Sequence, residues 1–411
     1  MTEAEKIKYY IESLCIYDIK DDSVIKALYS LLCSVKSEQV LVNQSRFFNL
    51  VSQEGSLKKH ISRCILTCDN EFTKAAAAGR EKELSRAVIM GAAEDLRKLE
   101  EISSITANAV IDAVDDADIK EVMKTIPQWD NGKALPPLTE NWAQSLESLA
   151  EYHRKNGYGM YAKNIAFTWR DKRICPVSSI DTMTLDGLKN YEVQRQKVID
   201  NTESFVLGHP ANNVLLYGDR GTGKSSTVHA LLNEYCTQGL RMIEIPKSAV
   251  ADLTQIREQI ADSPMKFIIY IDDLSFDSND TSFSELKAAL EGSLSGRQSN
   301  ILIYATSNRR HLIKESFSDR QNDINKNDIM QEQLSLSDRF GLTITFLNPG
   351  KQEYLEIVTK IAEDRGLSDL DREHLHYAAE QWATRRGGRS PRCAKQFVDY
   401  VESCHKRGKD W

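Results

Sequence analysis

The chain has 411 residues, of which 41% are hydrophobic and 27% charged. That is long enough for two or three domains and too apolar for a wholly disordered chain. Acidic residues outnumber basic ones, 60 against 53, for a net charge of −7, which excludes a chain that coats nucleic acid by overall charge and leaves only a local basic groove open.

Glycine (20 residues) and proline (9 residues) both fall below ordinary usage, which points to much helix and few tight turns. No apolar run approaches the ~20 residues of a membrane helix. The start, Met1-Thr2-Glu3-Ala4-Glu5-Lys6, lacks the basic-then-apolar pattern of a secretory signal, so a cytoplasmic protein without a membrane partner is expected. Eight cysteines stand singly, too sparse for a disulfide scaffold. Cys64 and Cys68 lie one helical turn apart, but no second Cys or His pair follows at finger spacing, so they read as ordinary reduced thiols.

Residues 1–126 contain no proline and only Gly55, Gly79 and Gly91, which predicts an all-helical N-terminal domain. Leu84, Val88, Ala92, Leu96, Leu99 and Ile102 mark one apolar helical face, and Val110, Ile111, Val114, Ile119, Val122, Met123 and Ile126 continue the spacing. Asp112, Asp115, Asp116 and Asp118 between them read as a solvated face. The turn-rich run from Pro127 through Pro136-Pro137 opens a connector expected over 127–177.

From residue 178 short apolar runs alternate with amphipathic helices. Strands are predicted at 214–217, 241–245, 266–271, 301–305 and 342–346, with helices at 224–235, 253–261 and 283–293 between them. This alternation predicts a parallel sheet covered on both faces, over 178–348. After Pro349 three helices are expected, at 353–364, 371–383 and 391–405, within a C-terminal segment 349–411.

Chemistry enters at Gly218-Asp219-Arg220-Gly221-Thr222-Gly223-Lys224-Ser225-Ser226, a phosphate-loop pattern between a predicted strand and a helix. Glycines let backbone N–H groups turn inward toward phosphate oxygens, and the helix N-terminus adds its positive dipole end. Lys224 supplies a point charge for the β- and γ-phosphates of ATP, and the Ser225 hydroxyl is a hard ligand for Mg²⁺. The strand at 266–271 ends in Asp272-Asp273, at the carboxyl edge where open parallel sheets bind ligands. Asp272 is read as the Mg²⁺ holder through water and Asp273 as the residue that polarises the attacking water. At the end of the strand at 301–305, Asn308 is chosen as the polar residue that reaches the γ-phosphate or the water, with Thr306 as the alternative.

The order of these motifs resembles an AAA-type (AAA+) P-loop ATPase. The wording around Pro210–Gly221, Asp272–Phe276, Tyr304–Leu312, Leu334–Gly341 and Arg386–Ser390 is similar to one bacterial family, domain of unknown function 815, classed with AAA-type ATPases. The resemblance implies a P-loop α/β NTPase domain with a five-stranded parallel sheet, a C-terminal helical lid and a homo-oligomeric ring. It implies that Arg339 is an arginine finger acting on a neighbour's γ-phosphate, with Arg320 as rival, and that Arg392 is the nucleotide-sensing lid arginine, within a cluster that also holds Arg385, Arg386 and Arg389. Asp273 departs from the usual Glu by one methylene. The implied activity is Mg²⁺-dependent ATP hydrolysis that drives remodelling of a protein, loading on a nucleic acid, or a switch between partner-binding states. Pro246–Val250 lacks the aromatic expected of a pore loop that threads protein.

Overall fold

A computed structural model describes residues 1–275, 282–291, 299–308 and 339–411. They form two compact units, Met1–Lys163 and Asn164–Trp411.

The first unit is helical: α1 (Glu3–Glu12), α2 (Ser23–Cys33), α3 (Gln39–Glu54), α4 (Leu57–Leu66), α5 (Glu71–Ala77), α6 (Arg86–Ser103), α7 (Ala107–Asp112), α8 (Ala117–Thr125), α9 (Leu146–Asn156) and α10 (Gly159–Lys163). Polar caps set where the helices begin. Thr2 and Glu5 form a capping box on α1, and Asp22 accepts the N–H groups of Val24 and Ile25 at the start of α2. Asp116 does the same for α8, so the apolar pattern of 110–126 is carried by two helices, and the neighbouring acids are exposed.

Trp129, Leu138, Trp142 and Leu149 are buried in the same core as Phe47, Ile61 and Leu96. The stretch from 127 is therefore not a connector. Gly132 and Pro136-Pro137 lie between Trp129 and Trp142, which belong to the first unit, and the division falls after Lys163 instead.

On α6, Asp95 is 1% exposed. Its Oδ2 accepts the backbone N–H groups of Cys15, Ile16 and Tyr17 at 2.8, 2.6 and 3.1 Å, which fixes the loop between α1 and α2. Lys98 Nζ stands 3.6 Å from its other oxygen.

In the second unit the strands are β1 (Ala166–Arg170), β2 (Arg173–Pro176), β3 (Val214–Gly218), β4 (Leu240–Ile245), β5 (Lys266–Ile271), β6 (Ile301–Ser307) and β7 (Leu342–Phe346). The helices are α11 (Glu192–Val206), α12 (Lys224–Tyr235), α13 (Leu253–Ile260), α14 (Ser282–Glu291), α15 (Lys351–Asp364), α16 (Arg372–Arg385) and α17 (Pro391–His405).

The strands form one seven-stranded sheet in the order β2-β1-β4-β5-β6-β3-β7. It is wider than the five strands expected. The aromatic segment at 166–170 adds a strand parallel to β4, and β2 closes that edge antiparallel to β1. β5 and β6 are buried along almost their whole length, as strands covered on both faces must be.

The register decides which loops meet. Gly218 pairs with Phe346, Tyr217 with Ser307, and Ile271 with Ala305. β3, β5, β6 and β7 thus end side by side, and the loops that leave them share one edge.

The three C-terminal helices share a separate apolar core, including Tyr354, Val358, Leu375, Ala379, Phe397 and Val401. Among the described residues no helix is long and apolar enough to cross a membrane.

Replacing Asp95 by Ala leaves three backbone N–H groups without their acceptor inside the first unit. Only Tyr17 of the three is buried, so at ~1–3 kcal/mol for an unsatisfied buried group the Asp95→Ala variant is expected to lose stability of that order in the unit. Denaturant unfolding followed by the fluorescence of the core tryptophans Trp129 and Trp142 checks this; an unchanged midpoint would refute the tie.

Candidate functional site

The loop at the end of β3 is shaped by steric demand before any ligand is considered. Gly218 has φ +134°, and a Cβ there would stand 2.0 Å from the Phe346 carbonyl oxygen of the paired strand. Only glycine lets the chain leave the sheet at this point. The Asp219 N–H donates to Phe346 O at 2.8 Å, and its carboxylate accepts the Asn348 N–H at 2.7 Å. Thr222 Oγ1 closes the loop onto Asp219 O at 2.9 Å. Gly223 then caps α12 in the left-handed region.

Lys224, the first residue of α12, is 5% exposed. Its ammonium donates to Gly218 O (3.1 Å), Asp219 O (2.7 Å) and Asn308 Oδ1 (3.2 Å). Burial pulls its pKa below the ordinary lysine value, against the opposing pull of Asp219, Asp272 and Asp273.

Asp272 follows β5. Its Oδ1 accepts three hydroxyls: Ser225 of α12 at 2.8 Å, Tyr270 of β5 at 2.6 Å, and Thr306 of β6. Burial works to raise the carboxyl pKa, but the hydrogen bonds from Thr306, Tyr270 and Ser225 outweigh it and hold the group below the ordinary aspartate value.

Asp273 sits at φ +50°. That sparsely populated conformation is held because its N–H donates to Thr306 Oγ1 at 2.9 Å and the Leu274 N–H donates to Thr306 O at 2.7 Å. The turn delivers the Asp273 carboxylate to Asn308 Nδ2 at 2.5 Å. Asn308 therefore bridges Asp273 and Lys224.

These groups line a cavity of ≈ 930 Å³, together with Arg220, Arg195 and Arg392. Arg392 lies in the first turn of α17, and its backbone N–H donates to Gly221 O at 3.1 Å.

Residues 162–405 match the family described as "Protein of unknown function (DUF815)". The chain belongs to that family. Its matched part coincides closely with the second unit, in which the glycine loop 218–223 joins β3 to α12. No curated protein matches the chain. Among solved structures it is similar to Thermotoga maritima RuvB, titled a Holliday junction branch migration motor, at 18% identity and TM-score 0.39, over 56% of this chain and 67% of that one. Two point variants of the same T. maritima protein match at 16% identity with TM-scores of 0.39 and 0.40, over the same shares.

In this DUF815 member the structure brings Lys224, Ser225, Asp272, Asp273 and Asn308 together as one hydrogen-bonded group. Thr306 lines the same cavity, and its hydroxyl donates to Asp272 and accepts the Asp273 N–H. Within the arginine cluster, Arg389 is paired with Glu380 and Arg386 lies over the Trp382 ring, whereas Arg392 lines the cavity. Arg339 stands before β7, at the end where Leu342 pairs with Val214, and is not among the residues lining the cavity of its own chain. Arg320 and Asp338 lie outside the described residues.

The sequence reading missed Tyr270 and Arg195. Tyr270 had a signal: a hydroxyl two residues before Asp272, on the same face of an otherwise apolar run, Phe267–Ile271. Arg195, on α11, had none. It is 9% exposed, and burial pushes its pKa down against the pull of Glu192.

Gly218→Ala forces a Cβ into the Phe346 carbonyl and holds alanine at positive φ. Overpacking alone costs ~1–3 kcal/mol, so the variant is expected to melt well below the wild type by calorimetry. A wild-type melting profile would show that β3 and β7 do not meet as described.

Proposed function

We propose that the chain binds ATP with Mg²⁺ in this cavity and hydrolyses the terminal phosphoanhydride. The observation that carries the reading is the single hydrogen-bonded group, Lys224–Asn308–Asp273 and Ser225–Asp272–Thr306, at the shared carboxyl edge of β3, β5 and β6.

The backbone N–H groups of 221–225 and the positive end of α12 take the β-phosphate. Lys224, held on neutral oxygens rather than on a carboxylate, can move its ammonium to the β- and γ-phosphates without breaking an ion pair. Ser225 Oγ and Asp272, 2.8 Å apart, offer the hard oxygen donors that suit a cation which retains several waters. When bound, Mg²⁺ would supply neutralisation of charge on the phosphate oxygens. Asp273 orients a water and accepts its proton as the water oxygen bonds to the γ-phosphorus and the bond to ADP breaks. Asn308 positions Asp273 and comes within reach of the γ-phosphate as Lys224 turns away. Positioning and charge stabilisation carry the rate.

The three C-terminal helices act as a lid that reports the nucleotide through Arg392. The first unit is the accessory domain through which a protein or nucleic-acid partner is engaged. The working form is a homo-oligomer, a remodelling or loading factor, in which Arg339 reaches a neighbour's γ-phosphate. The placement of Arg339 at the sheet end opposite its own phosphate loop supports action in trans.

Lys224→Ala is expected to abolish the stabilisation by ATP, ~2.7 kcal/mol at 100 times the dissociation constant, while Asp273→Asn retains it and loses turnover. Thermal shift with ATP and phosphate release measure the two. ATP protection of the Lys224→Ala variant equal to wild type would overturn the site.

An arginine finger is worth ~10³–10⁵ in turnover. Arg339→Ala and Lys224→Ala proteins should each be nearly inactive, and mixing them should restore part of the activity, since one brings an intact site and the other an intact finger. Lack of rescue, with wild-type activity independent of protein concentration, would favour a monomeric switch.

A further inference from the structure

The first unit carries a cluster of donor atoms that the nucleotide site does not use. His60 and Cys64 stand one turn apart on α4, and Asp22 caps α2. His60 is 6% exposed. Its Nε2 lies 2.8 Å from Asp22 Oδ1 and 3.5 Å from Cys64 Sγ. All three donor atoms fall within 4.8 Å of one another.

That spacing is close to a metal site. Tetrahedral zinc, with bonds of ~2.0–2.3 Å, sets neighbouring donors about 3.3–3.6 Å apart. The His60–Cys64 separation already fits, and the His60–Asp22 pair needs to open by about half an ångström. A second feature points the same way. The other ring nitrogen, Nδ1, lies 3.3 Å from Glu54 Oε2, and Glu54 is itself paired with Arg63. Nδ1 makes no hydrogen bond in this geometry, and a small turn of the ring would give it the carboxylate partner that orients metal-binding imidazoles.

A protonated His60 between two carboxylates would account for Asp22 and Glu54. The Cys64 sulfur adds a third donor that such an ion pair does not call on, and a cation bonded to all three atoms uses it.

We propose that Asp22, His60 and Cys64 form a Zn²⁺ site that joins α2 to α4. Imidazole, thiolate and carboxylate together select zinc over Mg²⁺ or Ca²⁺. Asp22 and Cys64 are only partly buried, which gives the ion an entry path and leaves a fourth position for water. Binding takes the proton from the Cys64 thiol and requires neutral His60, with the displaced protons released to solvent.

The test uses the full chain, with Co²⁺ as a spectroscopic probe and Zn²⁺ as its competitor. One Co²⁺ per chain should give the intense visible bands of tetrahedral cobalt with a thiolate charge-transfer band, and Zn²⁺ should displace it and raise the melting temperature. Mg²⁺ should do neither. Cys64→Ser should lose the thiolate band, whereas Cys15→Ser, Cys33→Ser and Cys68→Ser should keep it. Asp22→Asn retains a good helix cap and should still weaken binding. Glu54→Gln should cost ~10–100-fold in affinity. The proposal is overturned if no tetrahedral cobalt spectrum forms, if the thiolate band survives Cys64→Ser, or if Asp22→Asn binds as tightly as wild type.

Discussion

One carboxylate oxygen organises the candidate site. Asp272 Oδ1 accepts hydroxyls from β5, from β6 and from the first turn of α12, so three elements distant in sequence are tied to one atom. Tyr270 is fully buried, and its hydroxyl finds its partner at the exposed end of the strand, so the aromatic ring serves the core while its tip serves the site. The same hydroxyls hold the Asp272 carboxyl below its ordinary pKa. Thr306 then extends the order by one residue: in holding Asp272 it also holds the backbone of Asp273 in the conformation that turns the second acid toward Asn308.

The central strands and helices of the second unit were legible because each is a periodic apolar run bounded by a clear turn. The edge of the sheet was not. β1 reads Ala-Phe-Thr-Trp-Arg, five residues with aromatic weight but no apolar continuity, and it becomes a strand because β4 offers it an open edge. α11 escaped notice because its buried face mixes Val198 and Phe205 with Thr202, whose hydroxyl meets Tyr304 inside the core. In the first unit, Pro127 and Pro136-Pro137 carry the signal of a connector. Burial of Trp129 and Trp142 outweighs it, and no local rule on turns could weigh that burial.

The site divides in the same way. The loop 218–225 is legible because its chemistry needs residue types at fixed spacing along one chain. Asp272 and Asp273 are legible as acids at the end of a buried strand. Arg392 was named from the family resemblance; that Arg389 is instead taken by Glu380 depends on a contact with α16 that no local pattern gives. Thr306 and Asn308 read as rivals for one role; in the structure the first meets Asp272 and the second joins Asp273 to Lys224. The Asp22–His60–Cys64 group lies at the far end of this scale: two members share a helix turn, and the third comes from another helix 38 residues earlier than the histidine.

The backbone bond from Arg392 N–H to Gly221 O joins the first turn of α17 to the middle of the phosphate loop, and Asp219 likewise holds the chain at Asn348, just before α15. The loop is therefore hydrogen-bonded both to the end of the sheet and to the helical bundle. Because the first of these joints is main chain to main chain, replacing the arginine side chain leaves it intact. A change in the loop's shape would thus reach α17 through main-chain atoms, whatever side chain stands at 392.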